Sequence, residues 1–488
     1  MAYTVNQAPA HKQMPVGTEW IYTVASTNVG QYKFKYFVDV YISSDGTTFA
    51  VRLKFSPNSL GYGIVNFSDI FEQYVTSTNI GATTAPPSSF KQIANTQYQS
   101  CPIHLIDEAS TSTDSAVMVN LLFGEEYSTN STDAPTEYIF LAWVTSIFTW
   151  NAMAYNNEQI RVGNNPPAYG IDLTNWKQAN INYSALIQNP QYPNYLLTGT
   201  SSNFLTLAPK GSTQNATGQL IRMGDYHTMA ILNGPLIQAH VKPTILAFQY
   251  FDSSGGYVGG NQVQLNYNSG FVDLSGASSI SNANEAMIFL GVGTANIIGR
   301  GSFIPTNTSN YLVFMKNSNG ALISAPMQFT LQDDDCRGYE TIRLTWLNKF
   351  GAWDYYNFTK KNTRGSDIKR TEFNKIKGNW NKSFYVKNGY ERGLTTLHTN
   401  ITENLTLNSD WFTNDEEAAW LEGLFISPEV YILEQDIVTD TNPAEYGKYV
   451  TPVHIRNKKY QRYTRANDKV AQYEVDIEYS INKRVQRA

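Results

Sequence analysis

Apolar residues in this chain alternate with polar ones at a period of two far more often than they recur at helical spacing, the signature of half-buried strands. Trp20-Ile21-Tyr22-Thr23-Val24 is one apolar, β-branched run. Phe34 to Ile42 and Thr47 to Phe55 flank Ser43-Ser44-Asp45-Gly46. A polar loop ending in Asp-Gly between two such runs predicts a hairpin, because those residues tolerate the backbone angles of a tight turn. From Gly61 to Val75 the period changes. Ile70, Phe71, Tyr74 and Val75 fall on one helical face with Ser68 placed to cap it, so a short helix is predicted. Thr83 to Ser89, with two consecutive prolines, breaks the pattern and marks a boundary.

From about 90 to 330 short apolar runs alternate with Gly, Asn, Ser and Pro. Val117 to Phe123, Tyr138 to Phe148, Leu220 to Met223, Thr244 to Phe251, Phe271 to Leu274 and Tyr311 to Met315 read as strands. Farther on, Glu340 to Leu347 and Ala352 to Phe358 are joined by Asn348-Lys349-Phe350-Gly351, a hairpin with large aromatics on both strands. Cross-strand aromatic pairs stabilise such a sheet by roughly 0.2–1 kcal/mol each. Phe373 to Asn388 reads as a further strand pair carrying alternating Lys. One helix is expected from Asp415 to Phe425, with Thr413 and Glu416 at capping-box spacing and Ser427-Pro428 ending it. Glu429 to Leu433, Tyr449 to Ile455 and Ala471 to Ser480 return to strand patterns. The expected fold is mainly β: several antiparallel β-sandwich or barrel domains with one or two short helices. The expected domains are 1–85, 86–330 and 331–488.

Charge sharpens the last boundary. Residues 1–330 hold 13 Lys+Arg and 18 Asp+Glu, whereas residues 331–488 hold 23 of each in less than half the length. The whole chain of 488 residues is only 16% charged and 13% aromatic, and its 46 Asn supply much of the polar surface. A net charge of −5 argues against a dedicated nucleic-acid binder. No apolar run is long enough for a transmembrane helix, and the start lacks the pattern of a signal peptide, so no membrane insertion is expected. Two cysteines, Cys101 and Cys336, make no disulfide framework or zinc site and read as small core residues.

Catalytic patterns are missing. There is no nucleophile elbow, P-loop, dinucleotide fingerprint or paired-histidine zinc motif. The glycines of 255–260 lie between strands and read as a hairpin tip. Six scattered histidines show no ligand spacing. Asp333-Asp334-Asp335 offers oxygen ligands for a hard cation, but adjacent side chains on a strand alternate faces, so a solvated start to the third region is the better reading. Asp107-Glu108 and Glu125-Glu126 read as exposed loop charges. Basic and aromatic residues interleave from Lys349 to Arg392, as on a single-strand stacking platform, yet Asp354, Asp367, Glu372 and Glu391 balance them, which favours solvated strand faces or charged subunit contacts. No catalytic, cofactor or metal residue is assigned.

Arg343-Leu344-Thr345-Trp346-Leu347-Asn348 followed by Gly351-Ala352-Trp353-Asp354-Tyr355-Tyr356 resembles a signature of tailed-bacteriophage virion structural proteins. Glu417 to Glu422, Ser427 to Tyr431, and Pro452 to Tyr463 are similar to the same group, as are Phe37 to Tyr41 and Gly63 to Ser68. The resemblance covers both ends and is loose over 90–330. It implies a tail or baseplate component akin to distal tail proteins, a homo-oligomeric ring bound to other virion tail proteins after assembly in the host cytoplasm. Trp346, Trp353, Tyr355, Tyr356 and Trp420 are the candidate structural or interface aromatics, core residues first and subunit anchors second. The alternative is a tail adsorption protein, whose Tyr/Asn/Ser-rich loops in 90–330 would bind host-surface glycans or a receptor. A tail-borne glycoside hydrolase needs a carboxylate pair that no motif supplies.

Overall fold

The computed structural model describes residues 3–9, 13–17, 19–43, 47–81, 101–106, 109–112, 115–153, 204–211, 218–233, 245–264, 286–299, 301–316, 319–322, 324–332, 339–376, 383–384, 393–412, 415–433, 450–460, 472–481 and 483–484. The expected strand at Phe271 to Leu274, Asp107-Glu108, Asp333 to Asp335 and the capping Thr413 lie outside them. The chain is mainly β, with several sheets, nearly all of whose strand pairs are antiparallel, and three α-helices among the described residues. It divides into two compact units. The first holds 1–332 with 347–354 and 438–444; the second holds 333–346, 355–437 and 445–488. The chain first leaves unit 1 after residue 332, and 347–354 and 438–444, inside the expected 331–488 domain, return to it.

Unit 1 begins with two packed sheets. A three-stranded sheet orders Tyr3–Gln7, Ile21–Ser26 and Tyr62–Asn66, with Ile21–Ser26 in the centre. A five-stranded sheet orders Gln13–Pro15, Thr136–Trp150, Ala116–Ser128, Tyr32–Ser43 and Phe49–Phe55. Period-two patterning decides what lies between them. Tyr36, Val38 and Val40 alternate inward on one strand, Val119, Leu121 and Phe123 on its neighbour, and both meet Trp20, Tyr22 and Val24 of the smaller sheet. This larger sheet takes strands from both sides of the expected boundary at 85, because Tyr32–Ser43 pairs with Ala116–Ser128. The hairpin predicted across Ser43 to Gly46 is present in register, Tyr36 facing Phe55.

The predicted helix forms as Ser68–Glu72, but Phe67 takes the cap position and makes no side-chain cap. Ser68 is the first helical residue instead, and its hydroxyl accepts from the backbone N–H of Trp20. That bond ties the helix start to the strand before it. The remainder of unit 1 packs a five-stranded sheet (Gln219–Ile221, Met327–Leu331, Asn310–Lys316, Ile245–Phe251, Tyr257–Gln264) against a three-stranded one (Thr228–Asn233, Ala286–Gly291, Ala109–Ser112). Its core includes Phe248, Tyr311, Phe329 and Ile288. The turn between Ile245–Phe251 and Tyr257–Gln264 carries Gly255 at φ +82°, a conformation that glycine adopts without strain.

Unit 2 is built on one large sheet. Its order is Trp353–Phe358, Ile342–Leu347, Val430–Leu433, Val450–Ile455, Glu474–Tyr479, Leu394–Asn408 and Thr363–Asn374, with Lys483–Arg484 also pairing to Leu394–Asn408. The helix Asp415–Ile426 packs Ala418, Trp420, Leu421 and Leu424 inward. Phe373 ends the strand Thr363–Asn374 rather than opening a new one, and 377–382 and 385–392 lie outside the described residues.

Candidate interaction surfaces

The five aromatics picked out in the sequence are all buried. Trp346 and Trp420 stack obliquely with centroids 5.5 Å apart, and Tyr356 meets the edge of Trp420 at 5.9 Å. Strand alternation brings Trp346 and the helix periodicity brings Trp420 to the same core, so these three rings cluster although 64 residues separate Tyr356 from Trp420. The Tyr356 hydroxyl donates to Asp410 Oδ2 at 3.2 Å and accepts from the Asp410 backbone N–H at 2.9 Å. Burial raises its pKa, and the Asp410 carboxylate adds to the rise. Tyr355 carries the guanidinium of Arg343 over its ring at 5.1 Å, and Arg343 donates to Asn357 Oδ1 at 2.8 Å. Trp353, within unit 1, donates its indole N–H to Thr78 O at 2.9 Å and meets His104 edge-on. These rings are spent on the chain's own core. None offers a face to a neighbour.

Two charged surfaces stand out instead. On the five-stranded sheet of unit 1, Asp39, Arg52, Lys54, Glu126 and Glu137 share one face. The Arg52 guanidinium holds Asp39 through two bonds of 2.5 and 2.7 Å, reaches Glu137 at 2.7 Å, and lies 4.5 Å from the centre of the Phe37 ring. Lys54 bonds Glu126 at 2.5 Å and Glu137 at 3.3 Å. The bond to Asp39 raises the pKa of Arg52, the bond to Glu126 raises that of Lys54, and the bond to Arg52 lowers that of Glu137. Glu125 and Glu126 are therefore not exposed loop charges. Both are buried in the strand Ala116–Ser128. Glu125 points to the other face and accepts from Asn28 Nδ2 at 2.6 Å; burial pushes the Tyr3 hydroxyl pKa up, and Tyr36 and Glu125 add to the rise. The adjacency of two acids hid their alternation onto opposite faces of a strand, which the apolar run Ala116 to Phe123 before them signals.

The second surface is an arm of unit 2. All twelve residues of Thr363–Asn374 are exposed. Among the described residues the strand is the edge of its sheet and pairs only with Leu394–Asn408. Farther in, Glu474–Tyr479 joins at Asn404 to Asn408 and Lys483–Arg484 at Asn400 and Ile401. Past these, among the described residues, the arm is two-stranded, from Arg370↔Thr399 to Asn374↔Leu394. Its base is tied: Arg364 bonds both Glu340 oxygens, and Asp367 takes Arg456 at 3.1 Å. Its outer part exposes Ile368, Phe373, Ile376 and Leu394 beside Lys369, Arg370 and Lys375.

Among the described residues no three His, Cys, Asp or Glu side chains gather as a metal site, and no helix is long and apolar enough to cross a membrane. No family model matches the chain. No curated protein matches it. Among solved structures it is similar to a chain in the tail of an empty GTA particle computed with helical refinement in C6 symmetry, at 10% identity and a TM-score of 0.17, over 30% of this chain and 96% of that one. A likeness at that score carries no argument about this chain.

Proposed function

We propose that this chain is a structural component of a tailed-phage virion, a tail or baseplate protein that assembles with copies of itself and with other tail proteins. The supporting observation is the arm of unit 2. An edge strand twelve residues long, exposed on both faces, with large apolar side chains at its outer end, is a surface that isolated proteins avoid and assemblies cover. The signature around Trp346 and Trp353 supports the phage assignment by resemblance; Trp346 packs in the core of unit 2, which carries the arm, and Trp353 in unit 1. Of the loops within 90–330 on which a glycan-binding role would depend, those of 154–203 and 265–285 lie outside the described residues.

The test is location and mass. Mass spectrometry of purified virions should find the chain, antibody labelling should place it on the tail, and light scattering of the purified protein should give a closed homo-oligomer. A strictly monomeric mass at micromolar concentration, with absence from virions, would overturn the reading.

A further inference from the structure

We infer that the edge strand Thr363–Asn374 pairs antiparallel with the same strand of a second copy, about a twofold axis at Thr371. This rests on the assembly reading above and names the surface and the register that would carry it. All twelve residues of the strand are exposed, and among the described residues no strand lies beyond it. From Arg370 outward the arm is a two-stranded ribbon there, which is marginal in water, whereas three or more strands hold together. Two such arms joined edge to edge make four strands where each alone has two. The register shift between Thr371 and Glu372 leaves an extra residue, Leu397, on the inner strand, so the edge strand keeps its own alternation and stays open to a ladder.

The charges of the strand choose its occupant. A twofold axis perpendicular to the sheet sets each residue opposite one on the same face, equally far beyond the axis. With the axis at Thr371, Arg370 meets Glu372 twice, Lys369 meets Phe373 twice, and Thr371 meets its own counterpart. Arg370 and Glu372 share a face by alternation, and among the described residues no ion pair takes either. Their neighbours across the inner ladder, Thr399 and Thr396, are uncharged. Each therefore finds its counter-charge in the second copy, and directly opposed charges stabilise a ladder when opposite and destabilise it when alike. Lys375 comes opposite Asp367, which keeps Arg456, and no like charges stand directly opposed from Ser366 to Ile376. Axes at Lys369, Arg370 or Glu372 would set like charges face to face. An axis at Ile368 would draw on Arg364, which already bonds both Glu340 oxygens. The contact is isologous, so each pair closes on itself and a complete oligomer holds an even number of copies.

The test is charge reversal in the full chain, read by sedimentation velocity at micromolar concentration. Arg370→Glu turns two Arg–Glu pairs into two like-charge contacts and should weaken self-association by at least about tenfold, as should Glu372→Arg. The two variants mixed in equal amounts should assemble again, because each then offers one sign of charge to the other's opposite sign. One chain carrying both changes should assemble as wild type does. The register is read separately. Thr371→Cys should couple between copies under a short thiosulfonate crosslinker, with peptide mapping to tell that link from Cys101 and Cys336. Ile368→Cys, about 20 Å from its counterpart in this register, should not couple. Reversals that leave the oligomer unchanged, reversals that mixing does not rescue, an odd number of copies, or coupling through Ile368→Cys in place of Thr371→Cys would each overturn the contact. A wild-type chain that is monomeric in solution yet present in virions would give the edge to another tail protein, overturning self-pairing while the tail reading stands.

Discussion

Gly124→Ala tests how the charged sheet of unit 1 is packed. In a strand, replacing glycine by alanine ordinarily stabilises by about 0.5–1 kcal/mol, because glycine loses the most backbone freedom on folding. Here the sign reverses. Gly124 sits directly opposite Phe37 in the register, and a Cβ added to it would lie 2.2 Å from Phe37 Cζ and 2.6 Å from Cε2. The ring cannot retreat, since it is fully buried and capped by the Arg52 guanidinium 4.5 Å away. Overpacking of this kind costs about 1–3 kcal/mol. Set against the gain in the unfolded chain, the expected net loss is about 1–2 kcal/mol, or roughly 2–4 °C in the first thermal transition of a unit this large. The decisive assay is a double-mutant cycle with Phe37→Leu, which opens the space. In that background Gly124→Ala should become neutral or stabilising, an interaction of about 1–2 kcal/mol. If Gly124→Ala raises the melting temperature equally in both backgrounds, the ring does not lie on the glycine and the reasoning fails.

Three further outcomes follow from the described contacts. Arg52→Val leaves Asp39, 3% exposed, without its counterion, and should cost about 2–3 kcal/mol in denaturant unfolding, less than a fully buried pair because Arg52 keeps some solvent; Asp39→Val with Arg52→Val should cost less than the single change. Glu137, its carboxyl held below the ordinary range first by Arg52, contributes stability that is present above that ordinary value and lost as pH falls through the lowered one. In stability measured from about pH 6 to pH 3, Glu137→Gln should flatten part of the acid limb by about 0.3 kcal/mol, small because the side chain is 40% exposed. Trp420→Ala removes the ring that Trp346 and Tyr356 pack on, and should destabilise unit 2 by about 3–5 kcal/mol with loss of near-ultraviolet dichroism; an unchanged spectrum would mean the cluster is loose.

What was legible in the sequence follows the physics of local pattern. Period-two runs such as Phe34 to Ile42 and Ile342 to Leu347 became strands, since alternation needs only neighbours along the chain. The helix Asp415–Ile426 showed itself through Ala418 to Leu421 and the Ser427-Pro428 stop. Misreadings came where long-range pairing decides. Glu125 and Glu126 resemble a turn in isolation, but their partners Asn28 and Lys54 are contributed by distant strands. Ser68 has the residue type of a cap, yet its hydroxyl serves the strand start at Trp20. The site showed the same limit. Trp346, Tyr355 and Trp420 drew notice because large aromatics are conspicuous, whereas the arm is written in ordinary Thr, Lys and Asn whose significance lies in their place on the edge of the sheet among the described residues.

The two charged faces illustrate why burial, not charge count, separates scaffold from contact surface. On the unit 1 sheet each ion finds its partner within the chain: Arg52 spans Asp39 and Glu137, and Lys54 spans Glu126 and Glu137. Pairs satisfied within one sheet fix strand register and leave little free energy for an incoming protein. On the arm the pairing stops at Asp367, where Arg456 and Asn404 hold the base, and beyond it Lys369, Arg370 and Lys375 stand among exposed Ile and Phe. Charges left in water steer an encounter, and apolar side chains between them supply the burial once it is made. Long exposed edges are ordinarily blunted by inward charges, bulges or proline. This edge carries one register shift, between Thr371 and Glu372, and no proline, so its protection is deferred to whatever covers it. Under the proposed function, the aromatics Trp346 and Trp420 hold the core of unit 2 and the basic, apolar edge is the surface left for assembly.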